Sequence, residues 1–168
     1  MQTQAVMSRY RAPRSYLETQ MNDLDGDLLA PQTTHMFNQT GFDDLISAYK
    51  GSGGTARADD LALLLAEKGQ GSFVSLAKSI VKGDVFSIEW NNHFWLPMFQ
   101  FEPCDMTMKR SVRKILRELR HVLDTWALAA WFAEPNAWLK NRRPVDMLDA
   151  NFPAVFAAAR ADRFVAAG

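Results

Sequence analysis

The side chains best able to do chemistry are few and far apart. His35, His93 and His121 are the three histidines, and their positions lack the spacing of a metal site. The one cysteine, Cys104, follows a strand-like run. A lone thiol there reads as a small hydrophobe before it reads as a nucleophile, and it suits a reducing compartment. No glycine-rich phosphate loop precedes a helix, and the C-x-x-C, H-E-x-x-H and G-x-S-x-G patterns do not occur. Asp59 and Asp60 read as charge in a first helical turn, where the dipole favours carboxylates, not as a catalytic pair. The expectation is a protein that is not an enzyme, with no cofactor and no metal.

Two other constellations carry more. Arg110, Arg113, Lys114, Arg117 and Arg120 recur at helical spacing, and residues 109–121 hold six bases against Glu118 alone. They fall in the N-terminal half of a helix, where the dipole disfavours cations, so helix stability does not account for them. One reading is an ordinary solvated face. The other is contact with phosphate or with an acidic partner, which includes residues 21–67 of this chain, where eight acids face only Lys50 and Arg57. Because the net charge is zero, duplex binding by the chain alone is expected to be weak at physiological salt.

The second constellation is aromatic. Trp126, Trp131, Phe132 and Trp138 lie within thirteen residues and cannot all share one helix face. They are either core packing among short helices or a partner surface, since Trp beside Arg is the composition of binding hot spots. The run from Trp138 to Arg143 joins Trp138 to Lys140, Arg142 and Arg143 in a connection just before Pro144, and connections sit at the surface. Arg160 and Arg163 lie about one turn apart. The candidate partner-binding residues are Trp131, Trp138, Lys140, Arg142, Arg143, Arg160 and Arg163.

The elements that must position these residues follow from periodicity. Met108, Val112, Ile115, Leu119, Val122, Trp126 and Ala129 advance in alternating steps of four and three, the spacing of one helix face. Leu116, Leu123 and Ala130 widen the stripe. Pro135 ends the pattern near Ala133. The spacing predicts one central helix of about 25 residues, roughly 38 Å long at 1.5 Å per residue.

Before it, Thr55 is expected to cap a helix carrying Leu61, Leu64 and Leu65. Ser72 caps a second that Gly83 ends. Phe86, Ile88 and Trp90 alternate as a strand, Asn91-Asn92 form a hairpin turn, and the return strand runs to Phe101 with Pro97 at an edge or bulge. After it, Pro135-Asn136, Pro144 and Pro153 each open a short helical element. The fold class is mainly α with one β-hairpin, a long central helix packed with several short ones.

Three segments are expected. Residues 1–54 form an arm with one short helix at 42–49, bounded by Gly51–Gly54. Residues 55–104 form a helix–helix–hairpin module of winged or excisionase-like outline. Residues 105–168 form the helical remainder. The N-terminus lacks a signal-like apolar core and no run of 18 apolar residues occurs, so neither export nor a membrane partner is expected and the location is cytoplasmic.

The run W-A-L-A-A-W-F-A-E-P-N-A-W-L-K-N-R-R-P-V-D-M-L resembles the C-terminal toxin-binding domain of Xre/MbcA/ParS-type antitoxins. Trp131, Pro135, Asn136, Leu139, Arg142, Pro144 and Leu148 match its pattern, with Phe152 to Phe164 as the closing helix. Asn141 stands where the family often has Gly. Trp95–Phe101 resembles the strand found before such domains, so the likeness covers about residues 84–168. It implies a partner protein, one that binds an NAD-consuming toxin of the RES fold and obstructs its active site with the C-terminal region. A homo-oligomer is also expected. Many members carry an Xre-type helix-turn-helix at the N-terminus, where this chain has the helix–helix–hairpin module and an acidic arm. That departure keeps a winged-helix DNA-binding regulator as the alternative.

Overall fold

The computed structural model describes residues 39–167, and the readings made for residues 1–38 lie outside them. Helix α1 (Gln39–Tyr49) leads through a 3-10 turn into strand β1 (Thr55–Arg57), then α2 (Ala58–Glu67) and α3 (Phe73–Lys82). Strands β2 (Ile88–Trp90) and β3 (His93–Pro97) follow, then α4 (Arg110–Leu119), α5 (Thr125–Ala133), the short α6 (Pro144–Met147) and α7 (Phe152–Ala167). The protein is mainly helical with a small antiparallel sheet. Among the described residues no helix is long and apolar enough to cross a membrane.

The sheet has the order β1-β3-β2, so the hairpin strand β3 is central. Asn91 (φ 49°) and Asn92 (φ 59°) make its tight turn in the left-handed region, which asparagine tolerates better than most residues. Strand β1 was not anticipated. Thr55 pairs with Pro97 instead of capping α2, and Arg57 takes the N-cap position with extended backbone and no side-chain cap. Ser72 does cap α3, through a reciprocal pair with Ser75, and Gly83 (φ 71°) ends it.

Proline at the end of a central strand would leave the ladder short of a donor. The register that sets Ile88 opposite Trp95 would set Phe86 opposite Pro97. There the fully buried amide of Gln100 stands in. Its Oε1 accepts from the Phe86 N–H at 2.9 Å, and its Nε2 donates to the carbonyls of Phe86 at 2.9 Å and Pro97 at 3.2 Å.

Apolar side chains divide into two clusters. Val85, Leu96, Phe101 and Met106 join Leu61, Leu65 and Leu76 of α2 and α3. Phe86, Ile88 and Phe99 join α1 and the helices from α4 to α7. The alternation of Val85 and Phe86 between clusters is the two-residue period of an extended chain.

The central helix is two helices. Residues 120–124 leave the helical path, and Asp124, extended at ψ 177°, caps α5 by accepting from the Ala127 N–H at 2.7 Å. The apolar period survives the break because Leu119, Leu128, Ala129 and Phe132 still reach one core. An Asp-Thr pair immediately before apolar residues is a start signal that the stripe overrode.

Gly51–Gly54 is likewise a turn within the folded body, not its boundary. Gly54 donates to Tyr49 O at 2.8 Å and accepts from the Met98 N–H at 2.9 Å. Tyr49 is fully buried, and its hydroxyl donates to Ala129 O at 2.5 Å. Burial pushes its pKa far above the usual phenol range, so it stays a donor.

Replacing Gln100 by Leu keeps the volume but strips three buried backbone groups of their partners. Each such loss costs about 1–3 kcal/mol, so the unfolding free energy measured in urea is expected to fall by about 3 kcal/mol or more. A change below about 1 kcal/mol would show that water replaces the amide there.

Candidate functional site

The segment between α5 and α6 closes on itself. Asn136 donates its N–H to Arg142 O at 3.1 Å, and its carbonyl accepts from the N–H groups of Leu139 and Asn141, both at 3.0 Å. Its side-chain Oδ1 accepts from the Trp138 N–H at 2.9 Å. Lys140 and Asn141 both sit at positive φ, 55° and 57°, to complete the turn. Leu139 points inward and is buried.

One carboxylate on α7 fixes this loop. Asp162 Oδ2 accepts from Trp131 Nε1 and from Asn136 Nδ2, both at 2.7 Å, and its Oδ1 accepts from Trp138 Nε1 at 2.8 Å. Two indoles and an amide are thereby held on one anion, and such charge-assisted bonds are stronger than neutral ones. Trp138 is nonetheless 61% exposed. Its N–H is satisfied while most of its surface meets solvent.

The seven expected partner-binding residues separate into two groups. Trp131 is half-buried, bonded to Asp162 and packed edge-on against Phe132. Arg143 binds Asp146 through Nε and Nη2 at 2.6 and 2.8 Å, and its Nη1 donates to Ala48 O at the end of α1 at 3.0 Å. Arg163 pairs with Glu118 of α4 at 2.6 Å. These three are committed within the chain. Lys140, Arg142 and Arg160 are exposed, and no side-chain bond or ion pair engages them among the described residues. Phe164 and Val165 are exposed on the last turns of α7.

The basic flank of α4 divides in the same way. Arg113 binds Asp84 through Nε at 3.0 Å and Nη2 at 2.9 Å, and Arg120 donates to the Lys82 carbonyl at the end of α3. Both fasten α4 to α3. A side chain at Gly83 would meet that Arg120 guanidinium. Lys109 is buried and binds both oxygens of Asp149 at 2.8 and 2.9 Å. Lys114 lies 5.8 Å above the Phe152 ring. Arg110, Lys114 and Arg117 remain as one outward stripe.

The dispersed chemistry of the sequence stays dispersed. His93 Nδ1 lies 3.0 Å from Arg57 Nη2, and since guanidinium only donates, that nitrogen accepts. His121 neighbours Arg120, Cys104 is exposed, and His35 lies outside the described residues. No group of three or more His, Cys, Asp or Glu comes together to hold a metal among the described residues. No family model, no curated protein and no solved structure matches the chain.

Asp162 is the residue that sequence reasoning missed. The signal was present: Trp131, Asn136 and Trp138 bring three N–H donors into eight residues, and Asp162 is the one acid of the closing helix. Asp162→Ala removes all three bonds and is expected to lower stability by about 2–3 kcal/mol, since bonds to a charged group contribute about 1.5–3 each when buried and less when exposed. Chemical denaturation monitored by tryptophan fluorescence measures it. A loss under about 0.5 kcal/mol would mean that the loop holds its shape without α7.

Proposed function

We propose that the protein is an antitoxin-like, non-enzymatic binder that neutralises a partner toxin in the cytoplasm, RES-type by the resemblance noted above, by covering its active site. The supporting observation is the Asp162 bracket. It holds the loop in one shape before any partner arrives, with Trp138 outward and Lys140, Arg142 and Arg160 unengaged. A surface already ordered loses less conformational freedom on binding. A rigid aromatic beside arginines is the composition of binding hot spots.

The test separates interface from scaffold. Arg142→Ala with Arg160→Ala removes two exposed cations that support nothing else. Affinity for a co-expressed RES-type toxin, measured by calorimetry, is expected to fall by more than about 2 kcal/mol, while the melting temperature of the free protein barely moves. Arg163 is unsuitable for this purpose because its truncation also removes the Glu118 pair. Unchanged affinity would place the interface on another face.

A second reading is favoured by one observation, strand β1. It completes the order α1-β1-α2-α3-β2-β3 with the sheet β1-β3-β2, the outline of a winged helix with a full three-stranded sheet. On this reading the exposed stripe of Arg110, Lys114 and Arg117 contacts backbone phosphates. Three contacts give a log–log slope of affinity against salt of about −2.7, at about 0.9 per phosphate. Fluorescence anisotropy with duplex DNA measures the slope, and triple substitution of the stripe by Ala should bring it near zero. A slope that the triple variant leaves unchanged would remove the stripe from any phosphate contact.

A further inference from the structure

The outward faces of α2 and α3 are more apolar than folding requires. Opposite the buried Leu61 and Leu65, α2 presents Asp59, Leu63 and Glu67, at positions i, i+4 and i+8. Opposite the buried Leu76, α3 presents Val74, Lys78, Val81 and Lys82, again along one stripe. Leu63, Val74 and Val81, with Phe73 at the start of α3, are four of the eight large hydrophobic side chains exposed among the described residues, and Val81 is 88% exposed. Of the four charges, Asp59 alone has an ion-pair partner among the described residues, Arg57 at 3.8 Å. Lys68 is exposed beside Glu67 at the end of α2.

We infer that this face binds the same face of a second copy. The two stripes complement each other. On α2 an apolar centre, Leu63, is flanked by two carboxylates; on α3 the valines are interleaved with two ammonium groups. Asp59 and Glu67 stand about 12 Å apart along α2, and Lys78 and Lys82 about 6 Å apart along α3. An antiparallel contact therefore centres Leu63 on the Lys78–Lys82 turn beside Val81 and lets each lysine reach outward to one carboxylate. A twofold axis that lays α2 of one copy on α3 of the other makes the match twice, as an isologous contact must. Apolar contact excludes water, and the four carboxylate–ammonium pairings at the rim set the register.

The same face is poorly suited to nucleic acid. The outward stripe of α3 carries no Arg, Asn or Gln to read base edges, and Asp59 and Glu67 would meet phosphates with like charge. Its valines would be left against a polar groove. The inference does not depend on the toxin-binding reading, which uses the loop at 136–142 and α7.

Sedimentation equilibrium on the full chain tests it. The wild type is expected to associate reversibly to twice the 19.0 kDa chain mass. Val81→Ser, Lys78→Glu with Lys82→Glu, and Asp59→Lys with Glu67→Lys are each expected to weaken self-association at least about tenfold. All five positions are exposed or at the helix surface, and circular dichroism confirms that each variant is folded. The two charge-reversed variants repel themselves but complement each other, so an equimolar mixture should regain the dimer as a heterodimer. A monomeric wild type overturns the proposal. So do charge variants that self-associate like wild type, or a mixture that stays monomeric. Variants that keep their dimer but lose duplex binding would overturn it too and assign the face to nucleic acid.

Discussion

The amide of Gln100 is the interaction on which the rest of the architecture depends. A three-stranded sheet this short has little pairing to lose, and Pro97 cannot donate at the end of its central strand. One fully buried side chain supplies both the donor and the acceptor that a strand neighbour would have given to Phe86. Because Val85 and Phe86 face different clusters, fixing the backbone at Phe86 fixes both sides of the sheet together. The α2–α3 pair is thereby held against one face and the larger helical core against the other. A buried amide in such a position is favourable only when its bonds are complete, and here each of its polar atoms has a partner.

What the sequence made legible is what local chemistry determines. The Asn91-Asn92 turn, the Ser72 cap, the Gly83 stop and the proline starts of α6 and α7 all lie where residue type dictates backbone geometry, and all stand in the structure. The illegible features are those that depend on partners distant in sequence. Strand β1 is three residues whose half-buried side chains show no alternation, and it exists because Trp95–Pro97 offers it an edge. The α4–α5 break was hidden because a heptad-like stripe survives a kink when both halves face the same core. Tyr49 looked like the end of a loose arm, yet its hydroxyl bonds a carbonyl eighty residues away.

The charged residues show the same division between local and distant information. Six bases in thirteen positions suggest one electropositive face. The fold instead commits Lys109 to Asp149, Arg113 to Asp84 and Arg120 to the end of α3. Those partners come from two distant places, the end of α3 with the residues just after it and the connection between α6 and α7, neither of which shows helical spacing from α4. Arginine suits this role because its planar fork bonds a carboxylate or carbonyl with little loss of freedom. Lys109 is the more costly case, a buried side chain bonded to both oxygens of one carboxylate. Charge at helical spacing therefore specified how α4 is fastened as much as what it presents to solvent, and the solvent stripe is half the size that composition suggests.

The loop at 136–142 gains its definition from both ends of the chain's helical order. Asp162 holds it from α7, and Arg143, at its exit, reaches the last carbonyls of α1, where the helix dipole favours a cation. Tyr49, one residue beyond Ala48, bonds the middle of α5. Helices α1, α5 and α7 thus meet at one connection of seven residues, and none of them fixes it alone. A loop held by three elements is stiffer than the turn chemistry of Lys140 and Asn141 requires, since a single left-handed residue and one helix cap would close such a turn. The additional bonds fix the Trp138 indole through its N–H while most of the ring stays in solvent. Holding a large aromatic in water costs the free chain stability. The three bonds to Asp162 offset that cost within the chain itself.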